Sequence, residues 1–385
     1  MKQPTGRWSA ASGLYRPIDS DWRTMLQAWL GSRGLLLLVG LVLALTTERT
    51  FVDLVGNWDA QHFFAIADRG YPPGTEDVAF FPGFPMVLAG GNLLGLPPAF
   101  TGVVVSTVCS LIAAMALVRL GGPWASVGWL FAPVAVFTVV PYTEALFCAL
   151  AFWAWVWARR DNWWAAGVLA GAACTVRVSG LFLLGALAVM VLTRHGRGRG
   201  LGGRLRAWSR RGVWLLIPLA ALFGYALFLY LQTGSWTAWY TAQADGWHRT
   251  MTWPWESALR TLESVVPGGY ADQMGWGAVM RAEVVSMAVG LITVGWCLGR
   301  RLWAEAAWVA VQVLAFSTSV WWISVNRAVL LWFPTWMMLA ALITWRPSNR
   351  VARGAHDVVV AVLLCLGVAA MLWWARLFFT GVWSS

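Results

Sequence analysis

Charged residues are scarce in this chain of 385 residues: they make up 12% of it, whereas hydrophobic residues make up 59%. A soluble protein usually carries about a quarter of its residues as charged side chains. Half that share means that much of the surface faces something other than water. Since a helical span uses about 20 apolar residues, the apolar content suffices for roughly eleven spans. The sequence predicts an all-α polytopic membrane protein with about eleven transmembrane helices, forming one integral domain over residues 1–385.

Motifs for metals, nucleotides and disulfides are missing as well. The five cysteines lie in apolar runs without CxxC spacing, and the four histidines form no HExxH motif. No glycine-rich nucleotide motif and no internal repeat occurs. The sequence therefore predicts no cofactor and no metal ligand set, and it leaves metal dependence open.

Lysine is almost absent, and arginine supplies the net charge of +11. Such a charge can indicate nucleic-acid binding, but the arginines cluster in short segments between apolar runs, which is typical of cytosolic loops. We therefore expect no nucleic-acid partner and interpret these clusters as topology signals. They are 159–160, 194–211, 300–301 and 346–353.

The acidic residues lie in other segments than the arginine clusters. Of the 17 acids, six fall within 48–77 and five within 245–283. The asymmetry predicts a cytosolic N-terminal segment (1–26), a basic cytosolic loop (194–212) and two external loops (47–98 and 233–283). The N-terminal segment has no secretory signal pattern, so the first span should act as a signal anchor. We expect a protein integral to the cell membrane, with its N-terminus cytosolic. The predicted spans are 27–46, 99–118, 123–140, 142–158, 162–176, 180–193, 213–232, 284–299, 303–320, 328–345 and 357–379.

The apolar stretch 79–96 is long enough to count as a further span. Counting it would move the 159–160 arginine pair to the external side, so we interpret it as a re-entrant or interfacial external segment. Its Pro82, Pro85 and Gly90 suit an irregular or broken helix, which a membrane tolerates where protein or water covers it. The alternative is an ordinary short span with a different parity elsewhere.

The first external loop contains the most informative polar segment. Trp58, His62 and Arg69 recur at helical spacing, and Asp59 would open the helix, where an acid suits the N-terminal dipole. One interpretation is structural, with Asp59 a first-turn acid and His62 an interface residue. The other is functional, because an acid at the membrane surface, followed by the aromatic segment 79–85, could meet a lipid-borne substrate.

Further polar residues lie at predicted external ends of spans. Glu144 follows Tyr142 at one such end, and Arg177 and Arg327 lie at two others. Ionisable groups at membrane depth are costly and are usually functional or paired. A Glu144–Arg177 ion pair is one possibility, and arginines that bind a lipid phosphate are another. The second external loop adds Gln243, His248 and several tryptophans, which suit either an interfacial belt or sugar stacking.

Taken together, these residues resemble the phosphatidylinositol-glycan class V family of GPI mannosyltransferase 2 type. The first motif comprises Trp58-Asp59, Ile66-Ala67, Gly70-Tyr71, Phe80-Phe81-Pro82 and Pro85; later ones comprise Pro141 to Glu144 with Leu146-Phe147, Arg177 with Ser179-Gly180, and Asn326-Arg327 ahead of Leu330 to Pro334. The resemblance extends over most of residues 25–345. The arginine-rich, lysine-poor composition is typical of a high-GC bacterium and indicates a bacterial member, for which the acceptor stays open.

This resemblance implies a GT-C-type glycosyltransferase. Such an enzyme takes mannose from a polyprenyl-phosphate donor and works on the non-cytosolic face, on a glycolipid or other membrane-associated acceptor. Asp59 would then be the catalytic carboxylate, and Arg177 and Arg327 would bind the donor phosphate. Direct displacement at the anomeric carbon would invert it. The candidate substrate-binding residues are Trp58, His62, Tyr71, Tyr142, Glu144, Gln243 and His248.

Two alternatives remain at this point. The first is a lipid or lipid-linked sugar transporter, although transporters usually hold substrate near the bilayer midplane on paired, interrupted helices. The second keeps the same fold for transfer of another sugar, for action on a protein, or for a non-catalytic scaffold.

Overall fold

The chain is almost wholly helical. The computed structural model describes residues 7–8, 13–72, 74–194 and 201–384. Within them, β1 (Arg7–Trp8) pairs antiparallel with β2 (Tyr15–Arg16), and the other named elements are helices. The predicted all-α class is confirmed. The predicted cytosolic segments 1–26 and 194–212 lie partly outside the described residues.

The α-helices of the described chain run from α1 to α19 in chain order. They are α1 Asp19–Thr47, α2 Phe51–Val55, α3 Asp59–Arg69, α4 Gly83–Leu93, α5 Pro98–Gly121, α6 Pro123–Leu130, α7 Thr143–Arg159, α8 Trp163–Cys174, α9 Ser179–Thr193, α10 Leu201–Gly212, α11 Leu216–Thr233, α12 Ala238–Trp247, α13 Pro254–Val265, α14 Tyr270–Gln273, α15 Gly277–Gly299, α16 Trp303–Ser317, α17 Val325–Ala328, α18 Phe333–Thr344 and α19 Arg350–Phe379. Short 3-10 turns occur at Glu76–Ala79, Ala135–Thr138, Val213–Leu215 and Val329–Leu331.

Every predicted span contains a helix. Five continuous helical stretches of the described chain are long and apolar enough to cross a membrane: α1, α5, the stretch Leu205–Thr233, α15 and α19. A sixth is possible if Val325–Leu331 and α18, which bend by 74° at their junction, form one span. The remaining predicted spans correspond to shorter helices such as α8, α9 and α16. The protein is an integral membrane protein.

Helix α7 lies at the centre of the bundle, packed against α5 and α8. Its Phe147, Phe152 and Trp155 are fully buried, and the facing α5 contributes the small buried residues Ala113 and Ala114. Small residues let helix backbones approach closely, which replaces the hydrophobic driving force that lipid does not supply. Helix α7 therefore packs closely against α5 at the centre of the bundle.

The segment 79–96, predicted to be re-entrant or interfacial, contains the short helix α4. With 11 residues it extends about 16 Å at 1.5 Å per residue, which is half the thickness of a bilayer core of about 30 Å. At its first residue, the Gly83 N–H donates to the carbonyl of Thr175 at 2.7 Å. A Cβ at Gly83 would lie 2.5 Å from the Thr175 hydroxyl, so only glycine permits this contact. The start of α4 is thereby fixed to the connection between α8 and α9.

Candidate active site

Asp59 and Arg327 form an ion pair although they are far apart in the sequence. The Nη1 of Arg327 donates to the Oδ2 of Asp59 at 2.8 Å. The Asp59 side chain is 22% exposed and the Arg327 side chain is 9% exposed. Asp59 is the first residue of α3 and Arg327 lies in the short helix α17. The fold thus joins two of the predicted site residues in one partly buried group.

The backbone turn before α3 aims the Asp59 side chain. Trp58 has φ 57° and ψ −126°, which is an unfavourable conformation for a non-glycine residue. Such strain costs about 1–3 kcal/mol and persists where surrounding contacts enforce it. Here the Tyr142 hydroxyl accepts from the Asp59 N–H at 3.2 Å and donates to the Asn57 carbonyl at 3.2 Å. The side chain of Asn57 in turn donates to the carbonyl of Phe378 at 2.9 Å.

Arg327 is held by a second set of contacts. Both oxygens of the buried Glu283 carboxylate accept backbone N–H groups, from Ser324 at 3.0 Å and from Asn326 at 2.8 Å. These bonds fix the turn at Ser324, whose φ is 68°. The Arg327 guanidinium carbon lies 5.3 Å from the ring centroid of Tyr142. Arg327 therefore reaches Asp59 from a rigid backbone.

Glu144 extends the group into a chain of alternating charges. Its Oε1 accepts from the Nη1 of Arg177 at 2.6 Å and lies 3.7 Å from the Nε of Arg327. The same Nη1 also donates to the hydroxyl of Thr143 at 2.6 Å. Glu144 is fully buried. The Glu144–Arg177 ion pair that the sequence left as one possibility is present, and the phosphate role of Arg177 stays a prediction.

Arg249 is a third cation of this group, and the sequence analysis did not single it out. Its Nη2 donates to the Ser324 hydroxyl at 3.2 Å, beside Arg327. Burial and repulsion from Arg327 lower the pKa of Arg249 to about 10, although attraction by Asp59 opposes this shift, so Arg249 stays charged at neutral pH. The sequence analysis predicted its neighbour His248 as a substrate-binding residue instead. His248 is exposed, and its left-handed backbone (φ 52°) ends α12. The available signal was an arginine in the predicted second external loop, which carries five of the 17 acidic residues.

The charges around Asp59 decide its protonation state. Burial by itself would raise the pKa of the Asp59 carboxyl, but the attraction and hydrogen bond from Arg327, with smaller contributions from His62 and Arg249, hold this pKa below its ordinary value. Asp59 is therefore an ionised carboxylate at neutral pH.

His62 lies on the next turn of α3 and lines a cavity of about 490 Å³. Its Nδ1 is 2.9 Å from the Oδ1 of Asp77, and its ring stacks on Phe80 with centroids 4.8 Å apart. The Nη2 of Arg69 lies 3.8 Å from the other Asp77 oxygen. An orienting carboxylate fixes the ring of a histidine and leaves its second nitrogen for another partner.

The other predicted substrate-binding residues have diverse surroundings. Trp58 is 43% exposed beside Asp59. The Tyr71 hydroxyl donates to the Phe80 carbonyl at 2.8 Å and so supports the segment under His62. The backbone carbonyl of Gln243 accepts a hydrogen bond from the backbone N–H of Arg249 at 3.1 Å. Substrate binding by these residues stays a prediction.

No group of three or more His, Cys, Asp or Glu side chains that could hold a metal ion occurs in the part of the chain that the structure describes. The charges in the site are those of its arginines and carboxylates. Metal dependence stays open.

No protein-family model matches this chain. Among curated proteins, it is similar to GPI alpha-1,6-mannosyltransferase 2 of Mus musculus, with 36% identity over 152 residues, which covers 34% of this chain and 31% of the mouse protein. The same enzyme of Homo sapiens is 34% identical over 154 residues, with the same shares covered. The match thus spans about a third of the length of these relatives. The resemblance identified from the motifs is confirmed over that third.

Among solved structures, the chain is similar to ArnT from Cupriavidus metallidurans, which was crystallised bound to undecaprenyl phosphate. The TM-score is 0.46 and the identity 15%, and the match covers 91% of this chain and 76% of ArnT.

Proposed function

We propose that this protein is a mannosyltransferase that takes mannose from a polyprenyl-phosphate mannose donor on the non-cytosolic face of the membrane. The observation that carries the proposal is the ionised Asp59 carboxylate beside the guanidinium groups of Arg327 and Arg249. The named mannosyltransferases that match a third of the chain support the sugar and the reaction type. The acceptor is a glycolipid or another membrane-associated hydroxyl compound.

The proposed reaction needs one base and positive charge. An acceptor hydroxyl oxygen attacks the anomeric carbon, the bond from that carbon to the phosphate oxygen breaks, and the phosphate leaves with the electron pair. Asp59 takes the hydroxyl proton. Arg327 stabilises the charge that develops on the leaving phosphate, and Arg249 helps to bind the donor phosphate, because guanidinium groups bind phosphate oxygens bidentately. A single displacement of this kind inverts the anomeric carbon.

The pairing of Asp59 with Arg327 has a consequence for catalysis. With its pKa held below the ordinary value, Asp59 is ionised but weakly basic. When the donor phosphate binds Arg327, the phosphate neutralises part of the positive charge that lowers the pKa of Asp59, and the Asp59 carboxylate becomes a stronger base. Donor binding therefore increases the basicity of Asp59 at the point where the base is needed.

The cavity at His62 suits the acceptor. His62 follows Asp59 by three residues on α3, so the two side chains lie about one helical turn apart. His62, oriented by Asp77, and Arg69 would donate hydrogen bonds to sugar or lipid hydroxyl groups. On this proposal the donor phosphate lies on the Arg327 side of Asp59 and the acceptor on the His62 side.

The test is transfer of label from radiolabelled polyprenyl-phosphate mannose to host-membrane lipid or protein by the purified full-length protein. We expect an acid-stable labelled product from the wild type and at least about 100-fold less from Asp59→Asn. The matched control is Asp68→Asn, on the exposed face of the same helix, which should transfer normally. The position of the label identifies the acceptor.

Near-normal transfer by Asp59→Asn would remove Asp59 from the base role. If neither protein moves label while the donor still binds, mannose transfer is wrong, and other polyprenyl-linked sugars are the next donors to test. Movement of intact labelled lipid across proteoliposomes without a new glycosidic bond would instead favour the transporter alternative.

A further inference from the structure

A second cavity, of about 570 Å³, lies at the other end of the helical bundle. It is lined by the last residues of α7 and α9, the connection between α15 and α16, and one face of α18. Its volume is in the range of sites for small ligands, about 300–1,000 Å³. The mechanism proposed above uses none of its residues.

The distance from the candidate active site follows from α7. Glu144 is in the first turn of this helix and Arg159 is its last residue. Fifteen residues at 1.5 Å each put the two about 22 Å apart. The cavity at Arg159 is therefore separate from the group around Asp59.

The cavity carries an excess of positive charge. Among its lining residues, Glu305 neutralises Arg159 through a 2.6 Å hydrogen bond. The nearby Asp161 is paired with Arg211 at 2.8 Å. Within the described chain, the carboxylates at this end are thus engaged elsewhere, and Arg194 and the Arg300-Arg301 pair face the cavity without a carboxylate partner.

The surroundings of these arginines favour a phosphate ligand. Arg194 is partly buried, and burial, with repulsion from Arg159 and Arg211, lowers its pKa, so a bound anion would relieve an unfavourable charge. Arg300 lies over the ring of Trp296 with its guanidinium carbon 4.3 Å from the centroid, which orients its donors. Arginine in a fixed orientation matches phosphate oxygens bidentately.

The remaining walls are apolar. Met190 and Met337 line the cavity beside Trp303, which is half exposed. Tryptophan is typical of the headgroup level of a membrane, and basic pockets between helices on the cytosolic side bind anionic lipid headgroups. This face is the one that the sequence predicts to be cytosolic.

We propose that this cavity binds a phosphate-bearing anion, held by Arg194, Arg300 and Arg301 and flanked by the tryptophans. The phosphate can come from the headgroup of an anionic phospholipid or from a soluble phosphate. The proposal is independent of the reaction catalysed at Asp59.

The experiment measures binding to the purified full-length protein in neutral detergent. Native mass spectrometry and thermal unfolding are recorded with added phosphatidylglycerol, with phosphatidylcholine, and with sodium phosphate against sodium chloride at equal ionic strength. The test variant is Arg300→Gln/Arg301→Gln, whose two side chains are exposed and not ion-paired in the described chain. The matched control is Arg206→Gln/Arg210→Gln, which removes the same charge from exposed positions of α10 outside the cavity.

We expect phosphatidylglycerol to bind the wild type and the control and to raise their Tm, and the test variant to bind it at least about tenfold more weakly, because charge-assisted hydrogen bonds are lost. Stabilisation by sodium phosphate alone, lost in the same variant, would identify a soluble phosphate as the source. Equal loss in test and control variants would overturn the proposal, since binding would then be diffuse attraction to a basic face. Absence of binding in both the lipid and the phosphate arms would overturn it as well.

Discussion

The two ends of α7 differ in how their charged side chains are paired. At the start of the helix, Glu144 lies between Arg177 and Arg327, and Arg327 also pairs with Asp59. Arg249 beside them is attracted by Asp59 and Glu283, so three carboxylates face three arginines. At its end, Arg159 is matched by Glu305, but the neighbouring Arg194 and Arg300-Arg301 are not. The same helix thus connects a balanced group with a basic cavity.

The difference indicates how each end can bind an anion. A matched group must release a cation from its carboxylate partner before that cation can bind phosphate, so binding is coupled to the state of the carboxylate. An unmatched group can bind an anion directly. The first arrangement suits a catalytic site, where binding should change the reactivity of Asp59, and the second suits plain ligand binding.

The largest effects are expected when the ion pairs at the two ends of α7 are broken separately. Arg327→Gln leaves Asp59 and Glu144 without their shared cation, and Arg159→Gln leaves Glu305 without its own. Removing one partner of a buried ion pair costs about 3–5 kcal/mol, so both variants should lose stability. Only Arg327→Gln should also reduce mannose transfer per folded molecule by about 100-fold or more. Thermal unfolding and the transfer assay, normalised to folded protein, measure the two effects.

Equal transfer by the two variants, once normalised, would mean that Arg327 has a structural role alone. Arg327→Lys separates charge from geometry, since it keeps the positive charge and loses the planar guanidinium group with its paired N–H donors. Partial recovery of stability without recovery of transfer would indicate that phosphate recognition needs the guanidinium geometry.

A smaller effect is expected at Arg249. Arg249→Gln removes a cation that has no close carboxylate partner in the described chain, so folding should change little. We expect kcat/KM for the donor to fall by about tenfold, mainly through a higher KM, as for the loss of one charged hydrogen bond. Arg260→Gln, an exposed arginine of the same predicted external loop, is the control. Loss of activity with an unchanged donor KM would contradict phosphate binding by Arg249.

The pH dependence of transfer tests the protonation state of Asp59. Its pKa is held below the ordinary value of 3.8 by the surrounding cations, so Asp59 should give the wild type no acidic limb between pH 5 and 8. Arg249→Gln removes one of these cations, and the pKa of Asp59 should rise. The acidic limb of kcat/KM should therefore move to higher pH in this variant. A limb that moves to lower pH would show that another group controls it.

The smallest effect is expected from Tyr142→Phe. The variant keeps the buried ring and loses the hydroxyl that holds the turn between Asn57 and Asp59. A neutral hydrogen bond contributes about 1 kcal/mol, so kcat should fall about fivefold while the KM for the donor stays nearly constant. A change in KM alone would place the hydroxyl in donor binding instead.

Much of the architecture could be predicted because it depends on local patterns. The apolar runs identify the helices, and the periodicity of Trp58, His62 and Arg69 identifies α3. The proline and glycine residues of 79–96 predicted an irregular or broken helix, and the structure has one short continuous helix there, α4. These features need only hydrophobicity, helical spacing and the conformational limits of proline and glycine.

The pairing inside the site could not be predicted in the same way. Glu144 and Arg177 were possible partners, but nothing in the sequence favoured Arg327 as the partner of Asp59, 268 residues away. Arg249 was overlooked because its position in an acid-rich loop does not indicate a partner, and its proximity to Ser324 arises from packing of distant segments. The unmatched arginines of the second cavity looked like ordinary topology signals.

The sequence by itself determined that this is a membrane protein, where its apolar helices lie and which acid opens α3, since each follows from composition and short-range periodicity. The tertiary structure alone decided which charges are matched. Contacts between remote helix ends put Arg327 and Arg249 beside Asp59 and left Arg194, Arg300 and Arg301 around a cavity, because the strength of an ion pair depends on distance and burial, which are properties of the folded chain.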